Sequence, residues 1–176
     1  MDKTAETQVE FDYLINDYLK YNRKIGLNLQ GTKFIGTLKG AVLEKAELIG
    51  ANLEKAKLIG VNARSVNLKK ANLKEADLGL ADLTGANLQE TNLIEANLRE
   101  SILVKADLTQ SKLMKADLRE VDLRETNLEK AYLQGAKFDI NQVDYLENKY
   151  DLKNIKVYTG YKGELLNYKE YCKRYK

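Results

Sequence analysis

The chain has 176 residues, 44% of them hydrophobic and 31% charged, a size and balance suited to one folded domain rather than a disordered chain. Histidine, tryptophan and proline are absent and cysteine occurs once, at Cys172. That removes the commonest general base and zinc ligand, every Ser-His or Cys-His nucleophile pair, and any intramolecular disulfide.

No stretch approaches the ~18 apolar residues of a membrane span. The opening MDKTAETQVE lacks the apolar core of a signal peptide. A reducing, cytoplasmic setting is therefore expected. The net charge of +3 is unevenly placed: residues 1–35 carry five basic and five acidic side chains, 36–140 carry 16 of each, and 141–176 carry eight basic against five acidic. Three domains are expected, at 1–26, 27–140 and 141–176.

The first is a helical cap. Thr7-Gln8-Val9-Glu10 matches a capping box, and Phe11, Leu14, Ile15, Tyr18 and Leu19 follow at helical spacing. The spacing predicts an amphipathic helix over about 7–24 that covers the first coil of the 27–140 domain, with a partner-binding helix as the other reading.

From Gly36 to Ile140 the chain divides into 21 consecutive five-residue units without insertion. The third residue, the centre, is Leu in 19 units, with Ala63 and Phe138 as exceptions. The first is Ala in 13 units and the second is Asn or Asp in 13, while the last two are mostly polar or charged. Two further units, LNLQG and TKFIG, precede the run, and Leu38 follows Phe34 by four residues, so the register slips once.

A period of five is neither helical nor strand-like. On a helix, at ~100° per residue, the centres never form a stripe, and on a flat strand they alternate faces. One arrangement buries every Leu: the backbone turns about a quarter-circle per unit and closes a square after four. First and third positions then face inward, and coils stack ~4.8 Å apart through backbone hydrogen bonds. Val61 and Val66 beside Ala63 read as a volume exchange within one coil.

The tandem A(D/N)LXX wording resembles the pentapeptide-repeat family over about residues 27–140, in a form similar to those abundant in cyanobacteria. The resemblance implies an all-β solenoid, a right-handed quadrilateral β-helix of about five to six coils; the flanking residues are expected to add an N-terminal capping helix and a C-terminal irregular and helical cap. It also implies a non-enzymatic interaction module. Some members protect DNA gyrase by imitating duplex DNA, but mimicry needs a strongly negative surface, and these repeats are neutral.

Residues 20 apart share a column on this fold. Asp77, Asn97 and Asp117 form one, and Asp82, Ile102 and Asp122 another. No two Asp are adjacent in either, so neither converging carboxylates nor a metal site is expected, and turn-type bonding to the backbone is. Arg99 over Arg119, beside Glu100 over Glu120, reads as an exposed ion network. Ile94 stacks on Met114, with Tyr132 projecting nearby, as the apolar candidate for a contact patch on the repeats.

The tail holds seven of the eleven tyrosines, interleaved with lysines. GELLNYKEYCKRYK reads as a terminal helix with Leu165, Tyr168, Cys172 and Tyr175 on one stripe, after an irregular stretch over 141–162. Tyr168, Tyr171, Lys173 and Arg174 are the candidate contact residues. The composition suits a cap, a protein interface including a homodimer, or a single-strand nucleic-acid surface, the last disfavoured. No spacing assembles a nucleophile, base and oxyanion donor, and no glycine-rich phosphate loop occurs, so no enzyme and no cofactor are expected. An unidentified partner protein is the expected ligand.

Overall fold

The computed structural model describes residues 37–158 and 165–176. The helix expected over 7–24, the units centred on Leu29 and Phe34, and the register slip lie outside the described residues.

Within the repeats, each unit makes the same backbone bonds. The third-position N–H donates to the second-position carbonyl of the next coil, as from Leu38 to Lys57 at 2.8 Å. The fifth-position N–H does the same to a fourth-position carbonyl, as from Gly40 to Ile59 at 3.0 Å. The second-position N–H reaches back, as from Asn62 to the Ala41 carbonyl at 2.9 Å. Seventeen parallel bridges, from Thr37↔Lys57 to Asp117↔Lys137, all join residues 20 apart. Four five-residue units therefore make one coil, and the fold is a quadrilateral β-helix. Thr37 to Lys137 spans 100 residues, or five turns of the coil.

Each corner is closed by one further bond, from the first-position N–H to the preceding centre's carbonyl, as from Ala41 to Leu38 at 2.9 Å. Every fifth residue from 40 to 135 has a positive φ, between 54° and 70°, and the residue before it does not. That combination defines a type II turn, which accounts for a bend at each unit. Five of these positions are glycine; the other fifteen are Lys, Glu, Gln, Ser or Leu. None is β-branched or aromatic, the classes for which φ > 0 costs most.

The core is a column of centres and first positions. All nineteen central Leu, and Phe138, are at most 7% exposed. Val61, Ala63 and Val66 are all buried together, at 1%, 2% and 0% exposed, so the departure at Ala63 stays inside one coil as a change of side-chain volume.

The tail has more order than its sequence suggests. β1 (Lys137–Asp139) pairs in parallel with β2 (Lys156–Tyr158), which pairs antiparallel with β3 (Leu165–Asn167). Between β1 and β2, α1 (Ile140–Leu146) is helical where an irregular stretch was expected. Its start is set by Gln142, whose side-chain oxygen accepts from the Asp139 N–H at 2.7 Å, and it buries Val143 and Leu146. The terminal helix is shorter than expected. Leu165–Asn167 is strand, and α2 runs Tyr168–Tyr175, capped by the Asn167 side chain, which accepts from the Glu170 N–H at 3.0 Å. The strand forms because Leu165, Leu166 and Asn167 add to an open edge already built by β2.

Candidate partner-binding surfaces

Second-position Asn and Asp do structural work. Their side-chain oxygens accept the N–H two residues on, as Asn52 does from Glu54 at 3.2 Å and Asp107 from Thr109 at 3.0 Å. Up a column they alternate donor and acceptor. Asn92 donates to Asn72 at 3.0 Å, Asn72 to Asn52 at 3.2 Å, and Asn97 to Asp77 at 2.8 Å. No group of three metal-ligating side chains gathers among the described residues. The Arg99–Glu120 pair, 2.6 Å apart, spans two rungs diagonally and both side chains are well exposed. Such pairs contribute little to stability.

Ile94 and Met114 occupy adjacent rungs of one corner, both half-buried. The Lys115–Glu95 pair at 2.8 Å bridges the same two rungs. Tyr132 is 51% exposed and stands below Lys112 in the neighbouring column. These three residues share one side of the coil, as the twenty-residue spacing predicts.

The four tail candidates separate. Tyr171 is 2% exposed, and its hydroxyl donates to Asp144 Oδ1 of α1 at 3.2 Å, so its ring packs inward. Burial raises its pKa, and Asp144 raises it further. Tyr168 is half-buried and donates to Glu147 Oε2 at 3.2 Å. Its pKa is pushed up to about 12, first by burial and then by Cys172 and Glu147. Lys176 closes this contact between α1 and α2, pairing with Glu147 and with Asp144 at 3.5 Å and lying over the Tyr171 ring.

Tyr168 and Lys173 instead line an open groove of about 650 Å³ together with Lys153, Asn154, Lys169 and Cys172. The Tyr168 ring and the half-buried Cys172 give it an apolar floor. Lys153 is held by Asp151 at 2.7 Å, whereas Lys169 and Lys173 make no ion pair among the described residues. Asn154 ties the groove to the last coil, its carbonyl accepting from the Gly135 N–H at 2.7 Å. Arg174 is exposed but does not line the groove. The interleaving of Lys and Tyr signalled this region, Lys153 included; the contribution of Asn154, which precedes the helix by two strands, had no signal in the sequence.

Comparison with known proteins agrees with this geometry. The profile of the Pentapeptide repeats family matches in 8 copies over residues 25–62, 38–74, 64–99, 76–113 and 101–139. Among solved structures, the chain is similar to the pentapeptide repeat protein Rfr23 from the cyanobacterium Cyanothece 51142. Identity there is 28%, coverage 74% of this chain and 97% of that one, and the TM-score 0.53. A pentapeptide repeat protein from Nostoc Pcc 7120 shows 27% identity over 74% of this chain and 80% of that one, at a TM-score of 0.41. The plasmid-mediated fluoroquinolone resistance protein QnrB1, trypsin-treated, shows 17% identity over 74% and 77%, at a TM-score of 0.33. No curated protein matches the chain.

Proposed function

Because the chain belongs to the pentapeptide-repeat family, whose profile matches from residue 25 to residue 139, we propose that it is a non-enzymatic scaffold that binds a partner protein through the groove at its C-terminal end. The solenoid, a right-handed coil on this reading, holds that groove rigidly. The cytoplasm is the proposed setting.

The observation that carries this reading is the groove's make-up: an apolar floor of Tyr168 and Cys172 rimmed by Lys153, Lys169 and Lys173. Apolar centre with charged rim is the anatomy of a protein interface, and the rim sets the sign of the partner. An acidic segment with one apolar anchor fits. The groove is an indentation at one end of the molecule rather than a track for successive bases, which favours protein over single-stranded nucleic acid. A duplex-mimicking role finds no support in the repeats, where residues 36–140 balance at 16 basic and 16 acidic side chains.

The test is affinity capture by the intact chain and by a Lys153→Glu, Lys169→Glu, Lys173→Glu variant whose fold is checked by circular dichroism. The partner is expected to bind the intact chain, to dissociate with rising salt, and to be lost on charge reversal. A partner that the variant retains undiminished would move the contact to the repeat faces. An Ile94→Asp, Met114→Lys variant would then locate it.

A further inference from the structure

We infer that a notch around Gly79, on the flank of the coil, is a recognition site for a cationic side chain, lysine or arginine, presented by a partner protein. The starting point is a regularity among the five second-position aspartates. Four of them have a donor on the outer oxygen, Oδ2. Arg64 reaches Asp82 at 2.9 Å and Gln89 reaches Asp107 at 2.6 Å, in both cases from 18 residues earlier. Arg119 reaches Asp117 at 2.5 Å and Arg124 reaches Asp122 at 2.6 Å, in both cases from two residues later.

For Asp77, those two places are occupied by Ile59 and Gly79. Neither has a side chain that can donate. Asp77 Oδ1 is satisfied by the Asn97 side-chain amide at 2.8 Å and the Gly79 N–H at 3.2 Å. Among the described residues nothing donates to Oδ2. Lys57, one rung away in the same column, makes no ion pair with it.

The surroundings are shaped to receive such a donor from outside. From 39 to 134, position 79 is the only fourth position that is glycine. A Cβ there would lie 3.4 Å from Asp77 Oδ1 and 3.5 Å from Asn97 Nδ2, so a side chain would fill the space. What remains is an open notch of about 230 Å³ lined by Ile59, Asp77, Leu80, Asn97, Arg99 and Glu100, besides Gly79 itself. Leu80 is 59% exposed at a corner with φ of 61°, where the other corners carry glycine or a polar side chain. Glu100 makes no ion pair among the described residues; Arg99 is paired with Glu120 at 2.6 Å through one terminal nitrogen, and its Nε is buried with no partner among the described residues.

The notch thus offers a carboxylate oxygen that lacks a donor beside the exposed Leu80 and the half-buried Ile59. A lysine or arginine is apolar along its stem and charged at its tip, and it satisfies both. Its methylenes lie along Ile59 and Leu80, and its head takes the place on Asp77 that Arg119 takes on Asp117. A divalent cation does not fit, because it needs six or more oxygens and no group of three metal-ligating side chains gathers among the described residues. This site is remote in sequence from the groove, and its test is independent of that reading.

The full chain, labelled with nitrogen-15, is titrated with N-acetyl-arginine amide. Saturable shifts are expected at the Gly79 and Leu80 amides and the Asn97 side-chain amide, with millimolar affinity as an exposed charge contact implies. N-acetyl-norleucine amide, which keeps the stem and lacks the charge, should leave them in place. Gly79→Arg supplies an internal guanidinium and should weaken binding by at least about tenfold, as should Asp77→Asn, which retains the ladder bond at Oδ1. No shift at those groups up to roughly 50 mM probe, or an undiminished response in Gly79→Arg, overturns the assignment.

Discussion

Residue by residue, the repeat trades local strain for closure. A square coil needs a type II corner at every unit, and fifteen corners between 45 and 130 place a non-glycine residue in the left-handed region. Gly50 is one of the five relieved positions, and a Cβ there would meet nothing within 4 Å. Gly50→Ala therefore isolates the backbone term, and a loss of about 1 kcal/mol is expected in urea unfolding. An unchanged midpoint would show that the corner tolerates any residue. The first position offers the opposite case. Thr91 and Thr126 bury hydroxyls that donate to the Leu68 and Leu103 carbonyls, at 3.0 and 2.7 Å. Ser101 and Ser111 bury hydroxyls with no partner among the described residues. Ser101→Ala and Ser111→Ala should each raise stability by about 1 kcal/mol, because the orphaned hydroxyl's desolvation is removed, whereas Thr126→Ala should lower it by about the same amount. Destabilisation by either serine change would mean that its hydroxyl has a partner in solution.

At the scale of elements, the difficulty is the last coil, whose outward carbonyls and N–H groups have no further coil to pair with. The tail meets them one by one. Gln142 donates to the Leu118 and Val121 carbonyls at 2.8 and 2.9 Å. The Tyr150 hydroxyl accepts from the Leu128 N–H at 3.1 Å and donates to the Thr126 carbonyl at 3.2 Å. The Lys156 N–H reaches the Ala136 carbonyl at 2.7 Å. Tyr150→Phe keeps the packing and removes only the hydroxyl, so it should cost about 1–2 kcal/mol, read from denaturant unfolding with the slope unchanged. A neutral result would mean that water serves the edge equally well. The coil was legible because a period of five leaves one arrangement that buries every Leu. The tail was less so, since its elements answer to the coil's edge rather than to their own periodicity. Val143 and Leu146 are too few to signal α1, and Leu165–Asn167 reads as helix until β2 offers it an edge. The Lys–Tyr interleaving pointed to the groove. The Gly79 notch stayed hidden, because a vacancy on Asp77 is visible only once residues 59 and 79 are known to flank it.

For the whole molecule, the absence of histidine sets an unusual pH response. Asp82, Asp107 and Asp117 are raised by burial and lowered by more through their hydrogen-bonding and charged partners, Thr84 and Arg64, Thr109 and Gln89, and Arg119 respectively. Asp122 is lowered chiefly by Arg124. A carboxyl whose folded pKa lies below its unfolded value contributes stability that is complete above the unfolded value, ~3.9, and is lost as pH falls through the folded one. All four therefore act below about pH 4. Asp139 runs the other way: burial raises it, so its ionised form is a modest liability that protonation relieves. Tyr168, pushed up to about 12, holds its contribution below its unfolded value near 10 and loses it as pH climbs towards 12. Stability measured by urea unfolding should be flat between about pH 6 and 8 and fall steeply below about pH 4. Asp117→Asn should flatten the acid limb, since the Arg119 pairing that it loses is the one being titrated. A slope in the neutral range would require a carboxyl raised far more than Asp139, and an acid limb unaltered by Asp117→Asn would assign the transition to the other aspartates.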